Sequence, residues 1–250
     1  MSTRIDWATA VRPLLRKYKN KKHPLDHQNI YQLLVSVVLS AQSTDDAVNK
    51  LTPELFAAFP GMESLAAATP EALFPYISKV RNFGHKAKWL TEIAKQVGTD
   101  AAIPLSMDGL TALPGIGRKS ASVILRGAGV PAEGIIVDIH VLRVAPRLGI
   151  ATGDDPKKIE QQLMEILPQK EWDAGMAMSF LGREICRPEP LCEKCLMNKV
   201  CEYYAKTQGG AVSRGAARGR GGAKSRGRAA TKSVAGKSAA AKIPKHPGKQ

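Results

Sequence analysis

The chain has 250 residues, 44% of them apolar, only 5% aromatic, and a formal charge of +15. No uninterrupted apolar run approaches the roughly 20 residues that a membrane-spanning helix requires, and the opening MSTRIDWATAVRPLLRKY lacks the continuous apolar stretch of a secretory signal. The composition therefore argues against a membrane protein, and the expectation is a soluble, cytoplasmic chain with a real core. The charge is uneven: residues 207–250 hold eleven Lys or Arg and no acidic residue, against 26 basic and 22 acidic residues in the remainder. A mildly basic body with a strongly basic end points to a polyanionic partner.

In chain order, residues 28–41 place Ile30, Leu33, Leu34, Val37, Val38 and Ala41 on one stripe at helical spacing. Thr52-Pro53-Glu54 and Thr69-Pro70-Glu71 both read as helix starts, with a capping residue, a proline at the first position and an acid in the first turn. Leu110 to Ala128 reads LTALPGIGRKSASVILRGA, a tight turn followed by a helix. Pro114 presets one φ, while Gly115 and Gly117 permit positive φ and close backbone approach. Ala121, Ile124, Leu125 and Ala128 share the helix's apolar face, and Lys119, Ser122 and Arg126 lie on another. Such a turn aims backbone N–H groups outward at a helix N-terminus, which suits a phosphate. Gly134 to Val144 (GIIVDIHVLRV) is rich in β-branched residues but has no partner strand; an extended lead-in and a helix from near Asp138 is expected, kinked or shortened by Pro146. Asp155-Pro156 opens a further helix whose Ile159, Leu163 and Ile166 share a face. Beyond Tyr204 large apolar side chains almost vanish, so residues 207–250 are expected to be disordered.

The four cysteines, Cys186, Cys192, Cys195 and Cys201, have the spacing C-x5-C-x2-C-x5-C. Four thiolates suit a [4Fe–4S] cluster or a tetrahedral zinc. Zinc sites usually carry two separated C-x-x-C knuckles, and one is present here.

LPGIGRKSASVIL followed by VDIH, together with LSAQSTD at 39–45 and the cysteine cluster, closely resembles the endonuclease III family of DNA glycosylases, over about residues 5 to 204. The resemblance implies an all-α, two-lobed helix–hairpin–helix DNA glycosylase fold with a C-terminal iron–sulfur loop. The helical lobe would span 24–133, with the helix–hairpin–helix at about 107–128; the cluster lobe would combine 1–23 with 134–206, and 207–250 would be the basic tail. It implies Lys119 as nucleophile, Asp138 as its partner, and Gln42, Leu113, Gly115, Gly117, Arg118 and His140 as DNA contacts. Cys186, Cys192, Cys195 and Cys201 would hold a [4Fe–4S] cluster, and the partner would be double-stranded DNA with a damaged base or an abasic site, bound by a monomer.

The chemistry fits those residue types. A neutral amine can attack the sugar C1′ and remain bonded as a Schiff base, which permits strand cleavage by β-elimination. A position at the positive end of a helix beside Arg118 is expected to lower the lysine's pKa. A carboxylate would stabilise positive charge building on the sugar and assist proton transfer. The related adenine-mispair glycosylases generally lack the lysine and carry a Glu where this chain has Val37, so the resemblance implies a combined glycosylase and lyase acting on oxidised pyrimidines. A pyrimidine-dimer glycosylase of the same fold, or a non-catalytic DNA-binding or redox-sensing relative, are the alternatives. Two departures stand out. The loop KVRNFGHKAKWL (79–90) has Arg81, Asn82 and Phe83 where the family commonly has a wedging leucine, and CRPEPLC is one residue shorter than the usual first cysteine loop.

Overall fold

A computed structural model describes residues 5–207, and among them every regular element is helical. The expected disordered tail lies, from residue 208 on, outside the described residues. The helices are α1 (Trp7–Ala10), α2 (Arg12–Tyr18), α3 (Ile30–Ser40), α4 (Asp45–Ala58), α5 (Met62–Ala66), α6 (Pro70–Ile77), α7 (Phe83–Val97), α8 (Met107–Thr111), α9 (Arg118–Gly127), α10 (Val141–Leu148), α11 (Pro156–Ile166) and α12 (Ala174–Glu184). A last helical turn covers 202–207. None of the described helices is long and apolar enough to cross a membrane.

Helix α3 is the central post. Asn29 caps it, its side chain accepting from Gln32 N, and Leu33 to Leu39 are buried on every side. A helix apolar all round must be enclosed, and α4, α7 and α9 pack against it. Helices α5 and α6 lie on α7, and α8 on α9; on the other side α12 packs against α2 and α10, and α10 against α11. One continuous apolar core runs through both groups, from Trp7 to Met197.

Three local starts follow the sequence pattern. Thr69 precedes Pro70 at the first position of α6. Asp155 caps α11, Oδ1 accepting from Lys158 N at 2.9 Å, and Ile159 and Leu163 are buried, although Ile166 is 39% exposed. The run from Gly134 has no regular structure until Asp138, then turns into α10, which ends two residues after Pro146 at Leu148. The second expected start is overturned: Thr52-Pro53-Glu54 opens nothing, because Pro53 lies inside α4. Thr44 is the stronger start, its hydroxyl accepting from Ala47 N with Asp45 and Asp46 in the first turn, and the helix carries through the proline at the cost of one main-chain bond.

The close approach that places Asp138 is made by α12. A Cβ on Gly175 would stand 2.5 Å from Ile136 O, and one on Gly182 would stand 2.7 Å from His140 Cβ. With these two positions bare, the 134–140 segment lies directly on the helix, and Ser179, between them on the same face, reaches Asp138. Gly175→Ala forces the backbone of Ile136 away; the expected cost is about 1–3 kcal/mol of stability in urea unfolding, accompanied by displacement of Asp138.

Candidate active site

The turn between α8 and α9 is built around Gly115, whose φ of 76° favours glycine. Its Cα face is covered by the indole of Trp89 on α7, and a Cβ there would stand 2.5 Å from Trp89 Cε3. Gly117 has φ −93°, so it is not needed for a left-handed turn; what it contributes is open space, for a Cβ at 117 would meet nothing within 4 Å. Of the two glycines that permit positive φ, Gly115 alone adopts it. Leu113, expected among the DNA contacts, has its side chain turned inward. It is only 7% exposed, and its backbone N–H and C=O are engaged with Leu110 O and Ile116 N, so it anchors the turn from beneath. Arg118 is exposed but turned to Glu160, with Nε 3.1 Å from both carboxylate oxygens. At the far end of α9, Arg126 donates to Asp173 Oδ1 at 2.8 Å. Ser122 is buried and donates to Arg118 O, contrary to the face assigned to it.

From that turn Lys119 enters a cleft that it lines together with Asp138, Asp45, Arg183, His23, Ser40 and apolar neighbours including Val37 and Met176. Asp138 is held on all sides. Oδ1 accepts from the N–H groups of His140 and Val141, both at 2.9 Å, which caps α10; Oδ2 accepts from Ser179 Oγ at 2.6 Å, with Arg183 Nη2 at 3.8 Å. Arg183 also donates to Asp45 Oδ2 at 2.6 Å, so one guanidinium bridges both carboxylates.

This setting acts on the lysine in two directions. Lys119 is exposed over much of its surface, yet the groups crowding its ammonium in the cleft cost it hydration and push the pKa below its ordinary 10.5, and Arg183 adds to that; Asp138 and Asp45 oppose it. The direction matches the expectation, which rested on the helix end and on Arg118; Arg118 is spent on Glu160, and the cation that acts is Arg183. His140 is half-buried against Gly182, and burial lowers its pKa as well.

Gln42 and Asn82 are exposed and lie outside this cleft, at the tips of two adjacent loops. They are the only non-glycine residues with positive φ among the described residues, 56° and 57°. Such a conformation costs on the order of 1–3 kcal/mol in a non-glycine residue. Phe83 stacks edge-on against Phe74, with ring centroids 5.1 Å apart, which leaves Arg81 and Asn82 as the exposed residues of its loop.

The four cysteines line one small pocket with Arg147, Leu148, Leu181 and Tyr203. Arg147 ties the loop down, donating to Arg187 O and Pro188 O, lying 3.6 Å from Cys186 Sγ and stacking over Tyr203. Burial and the neighbouring thiols push the Cys192 and Cys195 pKa values up. No three His, Cys, Asp or Glu among the described residues converge tightly enough to hold a single metal ion.

Residues 35–169 match the family model for the HhH-GPD superfamily base excision DNA repair proteins. Endonuclease III of Synechocystis sp. is 35% identical over 80% of this chain and 94% of its own length, and that of Bacillus subtilis is 36% identical over 76% and 89%. The chain belongs to the endonuclease III family. Two solved structures are similar in three dimensions, each with a TM-score of 0.72: a non-covalent endonuclease III–DNA complex, 34% identical over 80% of this chain and 95% of that one, and a trapped endonuclease III–DNA covalent intermediate, 33% identical over 80% and 96%.

Within this family fold, several cleft residues had no sequence signal. Asp45 and Arg183 are separated by 138 positions and meet only in three dimensions. His23 sits in the segment between α2 and α3, its Nδ1 accepting from Leu25 N. Desolvation, with His27 and Lys119 adding to it, pushes His23 down to about 4. Because that lies below its ordinary 6.5, the unfolded chain takes the proton more readily, and stability falls as pH drops from 6.5 through about 4. His23→Gln is expected to flatten that part of the stability–pH curve in urea titrations while leaving the curve above pH 7 parallel to the original; an unchanged slope below pH 6.5 would contradict the burial argument.

Proposed function

We propose that this protein, a base excision repair DNA glycosylase and abasic-site lyase, works through Lys119 and Asp138 on oxidised pyrimidines in double-stranded DNA. The observation that carries the reading is a lysine of lowered pKa lining the same cleft as a fully hydrogen-bonded carboxylate, behind a glycine turn open to solvent. The helix packing supports two lobes, α3–α9 and α1–α2 with α10–α12, with the cleft between them.

The backbone around Gly115 and Gly117 would grip a phosphate at the N-terminus of α9. Extrusion of the damaged nucleotide costs a few kcal/mol, which Gln42 would offset by entering the vacated stack. The neutral Lys119 amine then attacks C1′; the C1′–N bond breaks, and its electron pair leaves with the base, which takes a proton. Loss of the nitrogen's proton as the C1′–O4′ bond opens gives the Schiff base. Removal of a C2′ proton then expels the 3′-phosphate, and water hydrolyses the imine to free the lysine. Asp138, fixed by Ser179 and two backbone N–H groups, faces the sugar as charge builds there and needs no reorganisation to do so.

The donor set of the C-terminal pocket fits an iron–sulfur cluster. Four thiols line one pocket, and Arg147 supplies positive charge beside Cys186. Cys186, Cys192, Cys195 and Cys201 would hold a [4Fe–4S] group, whose contribution is to tie the C-terminal loop to α10 and α12.

Borohydride reduction in the presence of lesion-bearing duplex should give a covalent protein–DNA adduct that disappears in Lys119→Gln, while Asp138→Asn slows its formation by about 10²-fold or more. Tight binding by the unaltered protein with neither adduct nor strand break would refute the reading. Separate duplexes with an oxidised pyrimidine or a pyrimidine dimer decide the lesion class. Cys195→Ser is expected to abolish the visible absorbance of the cluster and to lower the melting temperature; metal analysis returning zinc in place of iron would overturn the cofactor assignment.

A further inference from the structure

Lys86 is the largest charged side chain wholly inside the protein, 1% exposed, and the cleft chemistry makes no use of it. It stands in the first turn of α7, yet its Nζ reaches back across the core to the end of α3. It donates to Leu39 O at 2.8 Å, to Ala41 O at 2.6 Å and to Ser43 Oγ at 3.3 Å. No carboxylate pairs with it among the described residues; its partners are two carbonyls and a hydroxyl.

Those acceptors frame one turn. Ser43 N donates to Ser40 O at 3.0 Å, Ala41 has φ −55° and ψ 117°, and Gln42 has φ 56°. This is a type II β-turn with glutamine where glycine is favoured. The type I alternative differs by a flip of the central peptide, the one whose carbonyl belongs to Ala41. In a type I turn that carbonyl points the other way, and Gln42 returns to negative φ. Lys86 holds this carbonyl, and so selects the turn that gives Gln42 its direction. The same Ser43 Oγ accepts from Arg81 N at 3.2 Å, which links this turn to the loop bearing Asn82, the other left-handed residue.

We propose that Lys86 is a positioning residue for base extrusion: its ammonium locks the Ser40–Ser43 turn and, through Ser43, couples the Gln42 loop to the Arg81–Asn82 loop, so that both enter the duplex as one preset wedge. Burial lowers the Lys86 pKa to about 8, which leaves the side chain predominantly charged at neutral pH. The proposal rests on the glycosylase reading only in that Gln42 and the 81–82 loop meet DNA.

The test uses the full chain and a duplex carrying a tetrahydrofuran abasic analogue, which needs no bond cleavage, with 2-aminopurine as the opposite base. Unstacking of that base raises its fluorescence. In Lys86→Met the fluorescence rise is expected to slow by about tenfold or more, while affinity for undamaged duplex stays within about twofold, because phosphate contacts are untouched. In natural substrate the loss falls on kcat and not on KM. A fluorescence rise at the original rate overturns the proposal, as does an equal loss of affinity for undamaged and damaged duplex. If Lys86→Met folds poorly, Ser43→Ala removes only the shared hydroxyl; a rise slowed by about twofold to fivefold supports the coupling, and an unchanged rate refutes it. Failure of the unaltered protein to form the borohydride adduct counts against the lyase reading and leaves the fluorescence result to judge Lys86 by itself.

Discussion

A lysine that must act as a nucleophile has to shed its proton in the company of carboxylates that favour keeping it. Here the two influences are both present in one cleft. Loss of hydration and the Arg183 guanidinium draw the Lys119 pKa down, and Asp138 and Asp45 draw it up. Arg183 moderates the conflict because it engages both carboxylates, directly at Asp45 and more distantly at Asp138. Asp138 is further satisfied by Ser179 and the N-terminus of α10. The arrangement depends on the bare face of α12, since only with Gly175 and Gly182 in place does the 134–140 segment come near enough for Ser179 to reach it. Packing in the core thus sets the electrostatics of the site.

Features encoded within a few residues are legible in the sequence. The start of α6 at Pro70, the cap of α11, the start of α10 and the turn at Gly115 all fall where local chemistry places them. The misreading at Thr52-Pro53 has the same origin: a good start signal yields to a better one at Thr44, because a helix in progress tolerates one lost bond more readily than two helices tolerate a break. Leu113 and Arg118 show a different limit. Each sits in a motif associated with DNA contact, yet one is claimed by the core and the other by Glu160, a partner 42 positions away. Asp45, His23, Arg183 and Lys86 were silent because their meaning lies in which distant group they face, and nothing in their immediate neighbours records that.

The two loops that carry Gln42 and Asn82 differ from the cleft in character. The cleft is stabilised by satisfied charges, whereas the loops hold left-handed backbone, tolerated by Asn82 and disfavoured by Gln42. Such conformations persist when surrounding bonds over-determine them, and the main-chain carbonyls around Gln42 are so constrained. The reactive groups and the strained loops are thus held by separate sets of bonds, one on α12 and one on α7.

The ion pairs at the two ends of α9 have a consequence for how binding is measured. Arg118–Glu160 and Arg126–Asp173 span from the hairpin helix to α11 and to the turn before α12, and both are partly open to water. Exposed pairs of this kind contribute about 0–1 kcal/mol each and fade with added salt. Counterion release from DNA fades over the same range. Where a phosphate takes either arginine from its carboxylate, salt weakens the competing pair as well as the new contact, so the slope of log affinity against log salt falls short of the usual value per phosphate and undercounts such contacts.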